Sequence, residues 1–151
     1  MNLGSLKEQV RAASERERKL VLVVGPPGSG KSRLLRQLSK KPLLNVTKEL
    51  SRKLHAVPSE ERPRQANEFL AELVNTCPEP ILILDNIEIL FLPELQLDPL
   101  QTLADLSIAK TLVVGWLGRY DGEQLVWAEP GHPQYRVYSG TDFKYPVVSL
   151  K

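Results

Sequence analysis

The chain has 151 residues, 42% of them hydrophobic and 25% charged, with a net charge of +2. That size and balance suit one folded domain with its own core and argue against disorder over most of the chain. A single cysteine, Cys77, excludes an intramolecular disulfide and a cysteine-based metal cluster, His55 and His132 lie too far apart for a ligand spacing, and the net charge alone does not indicate nucleic acid.

Residues 1–18 are read as an N-terminal helical segment: Ser5 and Glu8 form a capping box, and Leu6, Val10 and Ala13 share one face before the charged run Glu15 to Lys19. This start is unlike a signal peptide, and no apolar run approaches the ~20 residues of a membrane helix, so a cytoplasmic protein without a membrane partner is expected. Leu20 to Val24, a valine-rich run ended by Gly-Pro-Pro-Gly, predicts a strand buried on both faces, as in a parallel sheet. Lys31 to Ser39 predicts a helix with Leu34, Leu35 and Leu38 on one face, stopped by Pro42. Leu43 to Val46 is a second strand candidate, and Thr47 to His55 a short helix with Leu50 and Leu54 inward. A loop over Pro58 to Arg64 leads to a helix over Arg64 to Thr76, with Ala66, Phe69, Leu70, Leu73 and Val74 inward and Pro78 and Pro80 closing it. Ile81 to Leu84 is the strongest strand, and it ends in Asp85. Asp98-Pro99 pairs a cap with a first-turn proline, and Leu100, Leu103 and Leu106 make that helix's apolar face. Thr111 to Gly115 is another buried strand. Beyond it, Asp121-Gly122 marks a turn, Leu125 to Ala128 and Tyr135 to Tyr138 read as strands around the turn Pro130-Gly131-His132-Pro133, and Tyr145 to Leu150 adds one more. The alternation of strands and helices predicts an α/β fold with a mainly parallel central sheet flanked by helices and extra β strands near the C-terminus. A single domain over 1–151 is expected, its core over 19–118 and its C-terminal strands over 119–151.

The segment Gly25-Pro26-Pro27-Gly28-Ser29-Gly30-Lys31-Ser32 matches G-x-x-x-x-G-K-[ST] in full and lies between a predicted strand and a predicted helix, the context a P-loop needs. Its glycines let successive N–H groups converge on a phosphate, and the helix N-terminus adds to that field. Lys31 then reaches the β- and γ-phosphates, and the Ser32 hydroxyl takes Mg²⁺. Arg33 joins the nucleotide-contacting set, whereas for Arg36, Lys40 and Lys41 a solvated helix face is the plainer reading. Asp85, at the end of a buried strand, is the expected Walker B carboxylate and holds Mg²⁺ through water; a surface aspartate in a turn is the alternative. The fold class is thus a P-loop NTPase. The intervening strand Leu43 to Val46 resembles the additional-strand branch of P-loop ATPases, which includes AAA+ and RecA-like proteins. No Asn-Lys-x-Asp motif is present, so ATP is expected in preference to GTP.

That branch usually places a glutamate directly after the Walker B aspartate, and here the position is Asn86. Asn86 can orient a water but cannot take its proton, which leaves Glu88 either as the catalytic base or as a surface acid. Arg119 and Arg64 are candidates for an arginine finger or phosphate sensor, with Arg62 and Arg136 weaker ones. Catalysis is therefore assigned to Lys31, Asp85, Glu88 and Asn86, with turnover expected to be slow or partner-dependent. Self-association across the nucleotide face is a further expectation. Two other readings stay open. A small phosphotransferase would use Arg62 and Arg64 as a lid. A DNA-binding module would use Trp116, Tyr120, Trp127, Tyr135 and Tyr138 interleaved with Arg119 and Arg136, although the same pattern also describes an ordinary strand core with solvated arginines.

Beyond the P-loop, the stretches Leu43-Leu44-Asn45-Val46, Glu49-Leu50-Ser51, Ile81 to Asn86, Val113-Val114-Gly115-Trp116 and Pro130-Gly131-His132-Pro133 resemble the BrxF family, the small P-loop proteins of type 3 BREX phage-exclusion systems. The resemblance covers nearly the whole chain. It implies a bacterial anti-phage role beside other BREX proteins, among them a larger ATPase, a DNA methyltransferase and an alkaline-phosphatase-like protein, with no methylation or cleavage by this chain.

Overall fold

The computed structural model describes residues 3–38, 43–139 and 145–150. In chain order the elements are α1 (Leu3–Ala13), β1 (Leu20–Gly25), α2 (Lys31–Leu38), β2 (Leu44–Asn45), α3 (Val46–Leu54), α4 (Arg62–Thr76), β3 (Ile81–Asp85), α5 (Pro99–Leu106), β4 (Thr111–Tyr120), β5 (Gln124–Trp127), β6 (Arg136–Ser139) and β7 (Val147–Ser149). The parallel sheet runs β2-β3-β4-β1-β7. The strand that carries Asp85 and the strand that feeds the P-loop are therefore not neighbours, because β4 lies between them.

Every residue of β1 is buried, and the period-2 alternation of a strand divides its side chains between two cores. Val21 and Val23 pack with Leu6, Val10 and Ala13 of α1 and with Leu34 and Leu35 of α2. Leu20, Leu22 and Val24 face the other way, into a larger core with α3, α4 and α5. The result is a three-layer α/β/α arrangement, in which each fully buried aliphatic side chain contributes about 1.5–3 kcal/mol.

β4 continues well past the predicted end at Gly115. Its last residues, Gly118 to Tyr120, pair antiparallel with β5, which in turn pairs with β6. This meander is the expected set of extra strands, and it extends from the C-terminal end of β4, beside the P-loop. Gly118 permits the approach, since a Cβ there would lie 1.8 Å from the Val126 carbonyl oxygen. The late aromatics close the meander onto the core: Phe91 stacks on Trp127 at 4.0 Å between centroids, and Trp116 meets Trp127 edge-on at 5.3 Å. The Trp116 indole donates to the Val126 carbonyl at 3.0 Å. With Trp116, Trp127 and Tyr138 at 0%, 1% and 7% exposure, these rings are core and not a stacking platform.

Several boundaries differ from expectation, each for a local reason. α1 begins at Leu3, so Ser5 lies within its first turn and does not cap it. The second strand shrinks to two residues because Asn45 turns its side chain to accept from Lys48 N–H and caps α3, which places Val46 in the helix. A 3₁₀ turn over Ser59–Glu61 occupies part of the predicted loop, and α4 starts two residues early at Arg62. Ala128 drops out of β5 at φ +64°. The last strand is the three-residue β7. The predicted stop at Pro42 falls outside the described residues. No helix among the described residues is long and apolar enough to cross a membrane.

Candidate nucleotide-binding site

The loop between β1 and α2 turns on glycines that adopt the left-handed region, Gly28 at φ +78° and Gly30 at φ +94°. Any side chain at either position is strained regardless of space. The Ser29 N–H closes the turn onto the Pro26 carbonyl at 3.2 Å. The first-turn N–H groups of α2 have no acceptor inside the helix, and no acidic residue of that turn opposes its positive end. The loop therefore presents a concave array of donors suited to an anion. Lys31 leans back over it and donates to the Pro26 carbonyl at 3.3 Å. Burial holds the Lys31 ammonium below its ordinary pKa, while Asp85 and Glu88 pull it back upward.

Across β4, the Ser32 hydroxyl donates to Asp85 Oδ2 at 2.5 Å. Asp85 is only 8% exposed. Room for its carboxylate comes from Gly115 of β4, where a Cβ would stand 2.5 Å from Asp85 Oδ1 and 3.1 Å from Leu35 Cδ1. Ser32 and Asp85 supply two hard oxygens at one point, and among the described residues no group of three or more His, Cys, Asp or Glu is arranged to hold a metal ion. This donor set fits Mg²⁺, which keeps most of its shell as water and phosphate oxygen and takes few protein ligands.

After Asp85 the chain leaves the strand through Asn86 at φ +52°, a left-handed conformation that asparagine tolerates better than most residues. Ile87 then anchors fully in the core, and a 3₁₀ turn over Glu88–Phe91 brings Glu88 back toward the P-loop. Glu88 lines one recess of about 150 Å³ with Lys31, Ser32, Asp85 and Asn86. Its carboxylate lies 3.0 Å from the hydroxyl of Thr47, on the first turn of α3.

The candidate arginines divide. Arg119, exposed at the end of β4, lines a cleft of about 580 Å³ with Pro26, Pro27 and Leu117, beside the mouth of the P-loop. Arg64 is engaged on α4 with Glu68 at 3.0 Å and Glu61 at 3.7 Å, and it lines neither the recess nor the cleft. Arg62 pairs with Glu94 at 3.3 Å, and Arg136 lies over the Phe91 ring at 5.9 Å. Arg33 is exposed on the first turn of α2. His132 is a wall of the larger cleft, with its Nδ1 accepting from Gln134 N–H at 3.0 Å. Sequence reasoning missed two residues, Gly115 and Thr47. A glycine inside a valine-rich strand was a signal of close approach; nothing in the sequence pointed to Thr47.

Replacing Gly115 with alanine is expected to displace the Asp85 carboxylate and weaken Mg²⁺-dependent nucleotide binding by about tenfold, ~1.4 kcal/mol. Calorimetric titration with and without Mg²⁺ checks this, since affinity without the metal should change little.

Residues 21–109, more than half of the chain, match the family described as the viral superfamily 1 RNA helicase core domain. The matched segment takes in the P-loop, Asp85, Asn86 and Glu88. No curated protein and no solved structure matches the chain. The parallel sheet, the P-loop and the match together place the molecule: the chain belongs to the viral superfamily 1 RNA helicase core family, a P-loop NTPase-type domain.

Proposed function

We propose that the chain, acting as one domain over 1–151, binds ATP with Mg²⁺ and hydrolyses it slowly or under a partner's stimulus, as a switch or motor component of a bacterial BREX anti-phage complex. The observation that carries the catalytic part is the 2.5 Å bond between Ser32 and Asp85, with Lys31 and Glu88 in the same recess. Residues Gly25 to Ser32 and Arg33 hold the phosphates, with Lys31 on the β- and γ-groups. Ser32 directly and Asp85 through water would hold Mg²⁺, which when bound would supply neutralising charge at the transferring phosphoryl group. Asn86 orients a water and Glu88 takes its proton. Arg119 reaches toward the phosphates from the cleft beside the loop.

Steady-state ATP hydrolysis, with nucleotide affinity on the same samples, tests this assignment. Lys31→Ala is expected to lose both binding and turnover. Glu88→Gln should bind normally and fall by about 10²–10⁴-fold in kcat, the usual worth of a general base. Full turnover by Glu88→Gln would remove Glu88 from the reaction.

The defence setting is supported by the stretches that resemble BrxF. In that setting self-association across the nucleotide face, or docking of other BREX proteins, completes the site. Association with the system's larger ATPase is then expected to differ between ATP, ADP and no nucleotide. Identical binding in all three states would end the switch reading.

The family match favours a second reading, in which hydrolysis is coupled to a nucleic-acid strand. Trp116, Trp127 and Tyr138 are not free to stack on bases, so contact would rest on exposed groups such as Arg119 and Tyr135. Single-stranded RNA or duplex DNA should then raise the ATPase rate, with binding that weakens as salt increases. No binding at low salt would dismiss it.

A further inference from the structure

We infer that Thr47 is a positioning residue for Glu88, holding the carboxylate in the recess from the first turn of α3. The inference rests on the ATPase reading above and deepens it.

The chain puts asparagine where a carboxylate could stand directly after the strand, and the acid arrives three residues beyond Asp85. A side chain that far along has no strand hydrogen bonds to fix it. The left-handed turn at Asn86 and the buried Ile87 determine where the backbone goes, but neither determines where the flexible Glu88 side chain points.

Thr47 supplies that constraint. β2 pairs parallel with β3, and Asn45 sits in register with Asp85, so the first turn of α3 rides beside the end of β3. The Thr47 backbone N–H donates to the Asn86 carbonyl at 2.8 Å. Its hydroxyl meets the same carbonyl at 2.6 Å, meets Glu88 Oε2 at 3.0 Å, and accepts from Ile89 N–H at 3.2 Å. One oxygen thus contacts residues 86, 88 and 89 of a single turn. A hydroxyl has one proton and two lone pairs. The Ile89 N–H occupies one lone pair, and the proton is shared between the Asn86 carbonyl and the Glu88 carboxylate. Lys31 and Asp85 are the charged groups that face Glu88 across the recess. Their pull and push are not directional in the way a hydrogen bond is, so the hydroxyl is what selects one position for the carboxylate.

Its β-branched shape allows a nearly isosteric test. Thr47→Val removes the hydroxyl and keeps the volume, Thr47→Ser keeps the hydroxyl, and Thr47→Ala is made alongside in case valine is not accommodated. Each is measured for thermal stability, ATP affinity, and kcat and KM, beside wild type and Glu88→Gln. The expectation is that Thr47→Val and Thr47→Ala bind ATP as wild type does but lose on the order of tenfold to a hundredfold in kcat, the cost of a misplaced catalytic group. Thr47→Ser should stay within about twofold of wild type in kcat, because its hydroxyl can make the same contact. With Glu88 already changed to Gln, adding Thr47→Val should cost little more. If Glu88→Gln is inactive while Thr47→Val and Thr47→Ala turn over at the wild-type rate, Thr47 does not position Glu88 and the ATPase reading stands. If Thr47→Val and Thr47→Ala both lose ATP binding or unfold, or Thr47→Ser fails to restore kcat, the role is structural and the inference is overturned. A wild type that turns over neither alone nor with the larger BREX ATPase or nucleic acid added, or a fully active Glu88→Gln, overturns the ATPase reading and this inference together.

Discussion

The site depends on one contact, the hydrogen bond between the Ser32 hydroxyl and the Asp85 carboxylate. It joins the start of α2, which follows β1, to the end of β3, and β1 and β3 do not pair. The span closes because β4 lies between them and presents Gly115 at the crossing point. A hydrogen bond to a charged group contributes about 1.5–3 kcal/mol net, so it cannot hold two strands in place by itself. The parallel sheet fixes the geometry, and the bond reports that the geometry has been met.

The sheet can hold that geometry because its central strands are buried on both faces. β1 divides its side chains between the α1–α2 side and the α3–α4–α5 side, so sliding it by one residue would exchange the two sets and misfit both cores. The same constraint delivers the left-handed loop glycines, Lys31 and Ser32 at a fixed height above the strand ends, where open α/β sheets place their ligands. The meander adds a second boundary. Phe91, Trp116 and Trp127 lock it down through ring contacts, and Tyr138 donates to Asp98, the cap of α5, at 3.0 Å. Burial raises the Tyr138 pKa, opposed by its contact with Arg136, so this link stays a neutral donor through the ordinary pH range. The wall beside the P-loop is therefore packed against the core on one side and open toward Arg119 and His132 on the other.

Glu88 shows how the chain departs from the usual arrangement without losing the carboxylate. The position after Asp85 is an asparagine, and its left-handed backbone is what permits the next residues to double back. Ile87 goes into the core and Glu88 goes to the recess, a division set by the tight 3₁₀ turn that follows.

Much of this was legible from residue types and spacing. The P-loop is a local motif whose chemistry lies in eight consecutive residues, so Gly25 to Ser32 needed no tertiary information. The strands around it were readable because a parallel strand buried on both faces is a run of apolar residues, and the capped start of α5 because Asp98-Pro99 is a local signal. The sequence alone also left Glu88 open between base and surface acid, and kept both Arg119 and the weaker Arg64 as candidates. Tertiary structure separated them. Glu88 faces Lys31 because of a backbone turn at Asn86, and Arg64 is taken up by Glu61 and Glu68 on its own helix. Thr47 and Gly115 became visible only in three dimensions, since each acts on a residue about forty or thirty positions away in the chain, across a strand pairing that no local pattern encodes. The aromatic run was ambiguous for the same reason: whether Trp116 and Trp127 stack on a ligand or on Phe91 is decided by how β4 and β5 fold over the core.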